Sequence, residues 1–158
     1  DATNPFAAPS TLPYALPDFG AIRTEHYLPA FEAGMAAERA EMAAIATDPA
    51  EPTEENTLLA IERAGQLLHR VGVVFFNRTS ADTTPELDAI EAELAPRLAE
   101  HHDAIYLDDR LYRRLRALAD RVTAGFGAGT AMPMLLSAPC RKTSAPLYRR
   151  RSSWFQKS

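Results

Sequence analysis

The feature that most constrains the fold is the long apolar stretch in residues 52–81, PTEENTLLAIERAGQLLHRVGVVFFNRTSA. Its first half is amphipathic, because Leu58, Ile61 and Leu68 share an apolar side, whereas Glu62, Gln66 and His69 form a polar stripe at helical spacing. The second half has no polar face, and its apolar residues are Val71, Val73, Val74, Phe75 and Phe76. These residues also suit a buried strand, but no turn residue separates them from the helical pattern upstream. The stretch therefore predicts one core helix that other elements must cover on all sides.

The composition is that of an ordinary globular domain, with 158 residues of which 46% are hydrophobic and 24% charged. No apolar run approaches the roughly 20 residues that a membrane-spanning helix requires, and no signal-peptide pattern begins the chain. The single cysteine, Cys140, cannot form an internal disulfide. We therefore expect a cytoplasmic location and no membrane partner. Because the sequence begins with Asp1, we also expect a processed or incomplete N-terminus.

Charge divides the chain into two unlike parts. Residues 1–120 contain 10 Arg and all 21 acidic residues, a net charge of −11. Residues 121–158 contain seven Arg or Lys and no acid, a net charge of +7. From residue 123 onwards glycine and proline recur and no apolar period persists. We predict that residues 123–158 form an irregular or disordered basic tail.

Residues 1–23 contain four of the twelve prolines. Six apolar residues are spaced among them: Phe6, Leu12, Tyr14, Leu16, Phe19 and Ile22. Prolines at this density block both helix and central strand. Since a disordered leader would contain fewer aromatic residues, we predict an extended arm whose apolar residues dock onto the rest of the protein.

Apolar residues recur at helical spacing throughout residues 24–122. The regular part of the first predicted helix begins at Pro29, and the helix ends at Asp48-Pro49. Its inner face comprises Leu28, Phe31, Met35, Met42 and Ile45. Thr53 is the predicted N-cap of the central helix, and Thr84-Pro85 is a specific start signal for a third helix.

The third helix has a predicted inner face of Leu87, Ile90, Leu94, Leu98 and Ile105, and Pro96 should kink it. Asp108 is the predicted cap of a fourth helix, whose inner face comprises Leu111, Leu115, Leu118 and Val122. Because the connections are short, we predict an all-α fold, an antiparallel array of about four helices. The predicted organisation is a docking arm (1–23), a helical lobe (24–122) and a basic tail (123–158).

The side chains form no recognisable catalytic pattern, and no catalytic, cofactor-binding or metal-binding residue is predicted. His101, His102 and Asp103 are clustered, but neighbouring helical residues point about 100° apart, so the two imidazoles do not readily share an ion. His26 and His69 are interpreted as surface or partly buried histidines. The motifs HExxH and GxSxG, paired cysteines and a glycine-rich phosphate loop do not occur in the 158 residues.

Two features of the tail also bear on function. Cys140 has basic neighbours, Arg141 and Lys142, but no fixed geometry supports a nucleophile there. The aromatic residues of the tail, Tyr148, Trp154 and Phe155, are able to stack on bases. No recognised nucleic-acid-binding fold accompanies them, so nucleic acid is not the expected partner.

Five motifs, taken together and in order, resemble a known family. They are Asn4-Pro5-Phe6, Ser10-Thr11-Leu12-Pro13-Tyr14, HYLPAFEAGM from His26 to Met35, Glu55-Asn56-Thr57 and Val74-Phe75-Phe76-Asn77. The set is similar to the N-terminal region of Dcp-like peptidyl-dipeptidases, in the thimet oligopeptidase and oligopeptidase A family of zinc metallopeptidases. The resemblance runs from about Asn4 to Asp120. It departs from the family pattern at Glu54, where the family carries an aromatic residue.

The resemblance implies a mostly helical lobe that walls one side of a deep channel, which admits short peptides and excludes folded proteins. For the intact family member it also implies a zinc ion, held by the two histidines of HExxH and a distant glutamate. This sequence contains none of those residues. The expectation is a lobe with no cofactor of its own and no peptidase activity alone, whose partner is the missing C-terminal catalytic region.

The basic tail suggests why that region is missing. GC-rich DNA read out of frame tends to yield Arg, Pro, Ser, Gly and Ala, and the tail has this character. We therefore expect a frameshifted or truncated gene product. The competing interpretation is an independent helical interaction module, whose basic tail binds an anionic partner.

Overall fold

The computed structural model describes residues 3–125. Its helices are α1 (Tyr27–Thr47), α2 (Ala60–Arg63), α3 (Gln66–Ala81), α4 (Pro85–Tyr106) and α5 (Asp109–Gly125). Short turns of 3₁₀-helix span Pro13–Ala15 and Thr24–His26, and a π-helical segment spans Glu54–Leu59. No strand occurs within residues 3–125, and the predicted all-α fold is confirmed. None of the helices in this range is both long and apolar enough to cross a bilayer.

The predicted basic tail lies almost entirely outside the described residues, and so do Cys140, Tyr148, Trp154 and Phe155. Its first three residues are an exception, because α5 continues to Gly125. The residues Asp1–Thr123 form one compact unit. The architecture below is that of this unit.

Helix α1 packs mainly on α3, and the two helices touch through backbone atoms at Gly34. A Cβ atom on Gly34 would lie 2.9 Å from the backbone N and Cα of Leu68. Only glycine permits so close an approach. Contacts between Tyr27 and Phe75 at one end, and between Gly34 and Leu68 further along, show that the two helices are antiparallel.

An aromatic cluster fills the space beside this crossing. The Phe75 ring lies edge-on to Tyr27, with centroids 5.0 Å apart, and edge-on to Phe31, at 5.3 Å. Edge-to-face packing at these distances is favourable in addition to the burial of apolar area. The whole core cluster comprises Phe6, Ile22, Tyr27, Ala30, Phe31, Val71, Val74, Phe75, Leu87 and Leu94. The core therefore combines the arm with α1, α3 and α4.

Helix α4 covers another side of α1 and runs in the same direction. Glu32 pairs with Arg97, and Glu38 pairs with His101, so residue numbers rise together along both helices. Its inner face is the predicted one: Leu87, Leu94 and Ile105 are buried, and Ile90 and Leu98 are half-buried. Pro96 lies within the continuous helix, and the kink expected there stays a prediction.

The predicted helix starts are confirmed by hydrogen bonds. The Asn56 backbone N–H donates to Thr53 Oγ1 at 3.1 Å, and the Leu87 backbone N–H donates to Thr84 Oγ1 at 3.3 Å. Asp108 Oδ1 accepts from the Arg110 backbone N–H at 2.8 Å. Helix α1 begins at Tyr27, two residues before the predicted start, because Pro29 falls in the first turn, where its missing N–H has no helical partner.

The prediction of one unbroken central helix is wrong. The chain breaks at Ala64 and Gly65, where Gly65 has φ 72° and ψ 17°, a left-handed conformation. The Gly65 N–H donates to Glu41 Oε2 on α1 at 2.8 Å, and a Cβ atom there would lie 2.6 Å from Glu38 Oε1. Glycine is required at this point by both the left-handed backbone and the proximity of Glu38.

Three residues expected on inner faces are exposed. Leu58 is 45% exposed because the break resets the helical phase upstream of α3. Val73 is 55% exposed because it points away from the face shared by Val71 and Val74. Val122, in the last turns of α5, is 50% exposed. The expectation that α3 is covered on all sides is therefore wrong for this chain.

The N-terminal arm docks at its two ends only. Phe6 and Ile22 are buried, the Asn4 side-chain amide donates to His26 O at 2.9 Å, and the Arg70 Nε–H donates to Phe6 O at 3.1 Å. The apolar residues between these anchors are exposed instead of docked: Leu12, Tyr14, Leu16 and Phe19.

We predict opposite effects for two glycine-to-alanine substitutions. Gly34→Ala should lower the free energy of unfolding by about 1–3 kcal/mol, because the added methyl group meets the α3 backbone. Gly72→Ala is the matched control, since its Cβ would meet nothing closer than Phe76 at 4.0 Å. It should stabilise α3 by up to about 1 kcal/mol. Urea unfolding followed by circular dichroism measures both, and equal effects of the two would contradict the close crossing.

Asp108→Asn should reveal a pH-dependent contribution to stability. The Arg110 guanidinium and backbone N–H hold the pKa of Asp108 at about 2, below its ordinary 3.8. Because the folded-state pKa is depressed, the stabilisation is complete above pH 4 and is lost as pH falls towards 2. The variant should therefore be less stable than the parent at pH 6, and the difference should shrink at pH 3.

Urea unfolding at the two pH values tests this. Asp109→Asn serves as control, because that carboxylate is 85% exposed and 4.0 Å from Arg113, a pair that contributes little. A difference between Asp108→Asn and the parent that is as large at pH 3 as at pH 6 would refute the assignment.

Candidate functional site

The two clustered histidines face different surroundings. The His101 side chain is fully buried, whereas His102 is exposed and packs its ring against Tyr106, with centroids 6.2 Å apart. Their own ring centroids lie 5.9 Å apart. His26 is half-buried at the start of α1, where its Nδ1 accepts from the Arg23 backbone N–H at 3.1 Å, and His69 is exposed.

His101 belongs to a buried polar centre between α1, α4 and the break before α3. Its Nε2 donates to Glu38 Oε2 at 2.7 Å, and its Nδ1 is buried without a hydrogen-bond partner. The same Glu38 side chain lies against Gly65, whose N–H is bound by Glu41. The centre joins three elements, and the fully buried imidazole gives it no open face for a substrate.

A second polar centre is built around Arg114 on α5. Its guanidinium is buried and makes four hydrogen bonds. The Nε–H donates to Thr57 Oγ1 at 3.1 Å, one terminal nitrogen donates to the backbone oxygens of Asp48 and Ala50 at 2.7 and 3.1 Å, and the other pairs with Asp48 Oδ2 at 3.0 Å. Arg114 therefore fixes the connection between α1 and the π-helical segment onto α5.

Arg121 extends this attachment along the same face of α5. Its guanidinium donates to Glu51 Oε2 at 2.8 Å and to Pro52 O at 3.1 Å. Both of these groups belong to the segment that Arg114 holds. Two arginines nearly two helical turns apart thus bind one connection of five residues.

An open groove of about 490 Å³ lies beside this connection. It is lined by residues 46 and 48–52 and by Arg110, Arg113 and Arg114. Arg110 is engaged by Asp108 at 2.7 Å, and Arg114 is fully used by the connection itself. The two carboxylates in the groove lining, Asp48 and Glu51, are paired with Arg114 at 3.0 Å and with Arg121 at 2.8 Å. The lining contains no Ser, Thr, Cys or Lys side chain that could act as a nucleophile beside them.

Residues 3–125 do not provide a binding site for a zinc ion. Nowhere in this part of the chain do three or more His, Cys, Asp or Glu side chains converge on one point. Structural and catalytic zinc sites need at least three such ligands. No catalytic step through a metal is therefore assigned to these residues.

Sequence reasoning missed both polar centres, although one left a signal. His101 lies three residues after Leu98 and four before Ile105, so its position on the inner face of α4 is legible from spacing. Arg114 stands among four other arginines of α5 and resembles a surface residue. Its partner Thr57 is fully buried within the π-helical segment, where a threonine carries no sequence signal of burial.

Comparison with known proteins identifies relatives, although no family model matches the sequence. The chain is 47% identical over 118 residues to the dipeptidyl carboxypeptidase of Escherichia coli strain K12. It is 43% identical over 117 residues to the dipeptidyl carboxypeptidase of Salmonella typhimurium strain LT2. These matches cover 75% and 74% of this chain.

The matched part is a small piece of those relatives. It corresponds to 17% of the length of each. The resemblance to peptidyl-dipeptidases that the five motifs predict is confirmed. This chain corresponds to a fragment of those proteins. The competing interpretation of an independent interaction module is not favoured.

Removing Arg114 should destabilise the unit strongly. Arg114→Met keeps much of the side-chain length but leaves Thr57, Asp48 and two carbonyl groups without their partner. We expect the free energy of unfolding to fall by about 2–4 kcal/mol. The matched control is Arg121→Met, whose side chain is 50% exposed and should cost less than about 1 kcal/mol. Similar losses in urea unfolding for the two variants would refute a special role for Arg114.

Proposed function

Because this chain matches the dipeptidyl carboxypeptidases as a fragment of that family, we propose that it is the N-terminal helical lobe of such a peptidase. The observation that carries the proposal is 47% identity over 118 residues that make up only 17% of the relative. The intact protein, in this proposal, releases C-terminal dipeptides from short peptides in the cytoplasm. The lobe alone hydrolyses nothing.

The polar groups of the lobe support the proposal that its role is structural and that the catalytic residues lie elsewhere in the intact peptidase. Arg114 and His101 are buried and bound to segments of the lobe itself, so both serve packing. A catalytic base or nucleophile needs an open position beside a reacting atom, and neither residue has one. The chemistry is therefore assigned to the part of the peptidase beyond this chain.

The proposal also places any zinc site of the intact peptidase outside this lobe. The HExxH pattern does not occur in the 158 residues, and residues 3–125 do not fit the ion. A zinc ion in the intact peptidase would take its ligands from the remaining part. The contribution of the lobe is to pack against that part and to form one wall of the space that admits peptides.

The residues that carry the resemblance fit a structural role. Phe6, Tyr27 and Phe75 lie in the core, and Thr57 binds Arg114. Asn56 completes the cap of the π-helical segment, because its side-chain oxygen accepts from the N–H of the N-cap residue Thr53. Their functions in this unit are packing, capping and attachment. Motifs of this kind maintain a lobe of defined shape, which is what a channel wall requires.

A chimera tests the proposal. In the Escherichia coli dipeptidyl carboxypeptidase, the region that this chain matches is replaced by Asp1–Thr123. The chimera should release C-terminal dipeptides from short peptides within about tenfold of the parent rate. The 158-residue chain should release none, with or without added zinc.

An unrelated helical segment of the same length in the same position is the control, and it should give an inactive protein. An inactive chimera whose circular dichroism matches that of the parent would contradict the assignment as a lobe. Turnover by the 158-residue chain that survives repurification would contradict the assignment of the chemistry elsewhere.

A further inference from the structure

The N-terminal arm displays an apolar surface between its two buried anchors. Four residues form it, and we refer to them as the arm patch: Leu12, Tyr14, Leu16 and Phe19. Their exposures are 44%, 96%, 55% and 59%. Four large apolar side chains exposed within eight residues are typical of an interaction surface.

The conformation of the arm holds these side chains outward. The Ser10 hydroxyl donates to Leu16 O at 2.5 Å, and the Ala15 N–H donates to Leu12 O at 3.0 Å, so the segment forms a closed loop. Within the loop Tyr14 has φ 59° and Ala15 has φ 54°, left-handed conformations that are disfavoured for residues with a Cβ atom. Such conformations persist where the surrounding structure fixes them. The loop is thus a formed surface with an outward ring at its tip.

The charge around the arm patch indicates the chemistry of its partner. Residues 7–22 contain a single charged side chain, Asp18. Its Oδ1 accepts from the backbone N–H groups of Gly20 and Ala21 at 3.1 and 3.2 Å, so it is occupied within the loop. Depletion of charge is typical of the central part of a protein interface. The arm patch therefore fits an apolar protein surface.

Another exposed apolar region lacks this property. At the corner between α4 and α5, Tyr106 and Leu107 are 80% and 77% exposed. They adjoin the ion pair of Asp108 and Arg110, whose oxygen and nitrogen lie 2.7 Å apart. A partner covering this corner would have to desolvate charges, which is costly. The arm patch is the better candidate for burial.

The length of the relatives indicates what covers the arm patch. The matched residues correspond to 17% of the relatives, so most of such a peptidase lies outside this chain. The segment from Ser10 to Tyr14, which begins the loop, is one of the five motifs that carry the resemblance. We propose that the arm patch is the surface on which the remaining part of the intact peptidase docks, an inference that rests on the proposed function.

Cysteine labelling of the 158-residue chain and of the chimera described above tests this. Leu16→Cys and Phe19→Cys are made separately, with Cys140→Ser in the 158-residue chain, and maleimide modification is located by mass spectrometry. The control is Arg113→Cys on α5, where the native side chain is 78% exposed. Labelling at positions 16 and 19 should be about tenfold or more slower in the chimera than in the 158-residue chain, whereas labelling at position 113 should be similar in both.

The outcomes separate the two proposals. An active chimera that labels at positions 16 and 19 as fast as the 158-residue chain overturns docking at the arm patch and leaves the proposed function intact. An inactive chimera whose circular dichroism matches that of the parent overturns both. Slow labelling in the 158-residue chain together with a dimeric mass assigns the arm patch to a second copy and overturns the inference. If the labelling rate at position 113 falls in the chimera as much as the rates at positions 16 and 19, the inference is also overturned.

Discussion

The close crossing of α1 and α3 sets the arrangement of the lobe. With no side chain on Gly34, the α3 backbone reaches α1 at a distance that excludes even a methyl group. That approach stacks Phe31 and Phe75 edge-to-face and leaves room for the arm to insert Phe6 beside Tyr27. Since packed interiors transmit small displacements, a wider crossing would disturb the seating of the arm and of α4 as well.

Two polar centres then fix what apolar packing leaves undetermined. Burial of Leu and Phe side chains is non-directional. It therefore determines which residues lie in the core more firmly than it determines how the helices are positioned against one another. Arg114 and the pair of Glu38 with His101 are directional, and each joins residues more than 50 positions apart in sequence. Removing one member of such a centre leaves its partners with unsatisfied polar groups, so substitutions there are expected to destabilise the folded unit.

The sequence predicted the features that depend on local chemistry. Thr84 as a cap and the inner face of α4 follow from hydrogen bonding and helical period alone. The break at Gly65 was missed because a lone glycine is tolerated in a helix, and only its tertiary neighbour Glu38 shows why the chain turns there. Arg114 was missed for a similar reason, since nothing local distinguishes it from the exposed arginines of α5. Val73 was expected to be covered because the apolar pattern shows a residue's preference for burial and does not show which element covers it.

The central claim is that this chain is a formed lobe with an open docking face and without chemistry of its own. Hydrogen exchange of the isolated 158-residue chain, read by mass spectrometry, tests it most directly. The account predicts the slowest exchange in α1 and α3, and faster exchange in the solvent-exposed residues 10–19 of the arm. Uniformly fast exchange across residues 3–125 would contradict it, because α1 and α3 would then not form a stable core in the isolated chain.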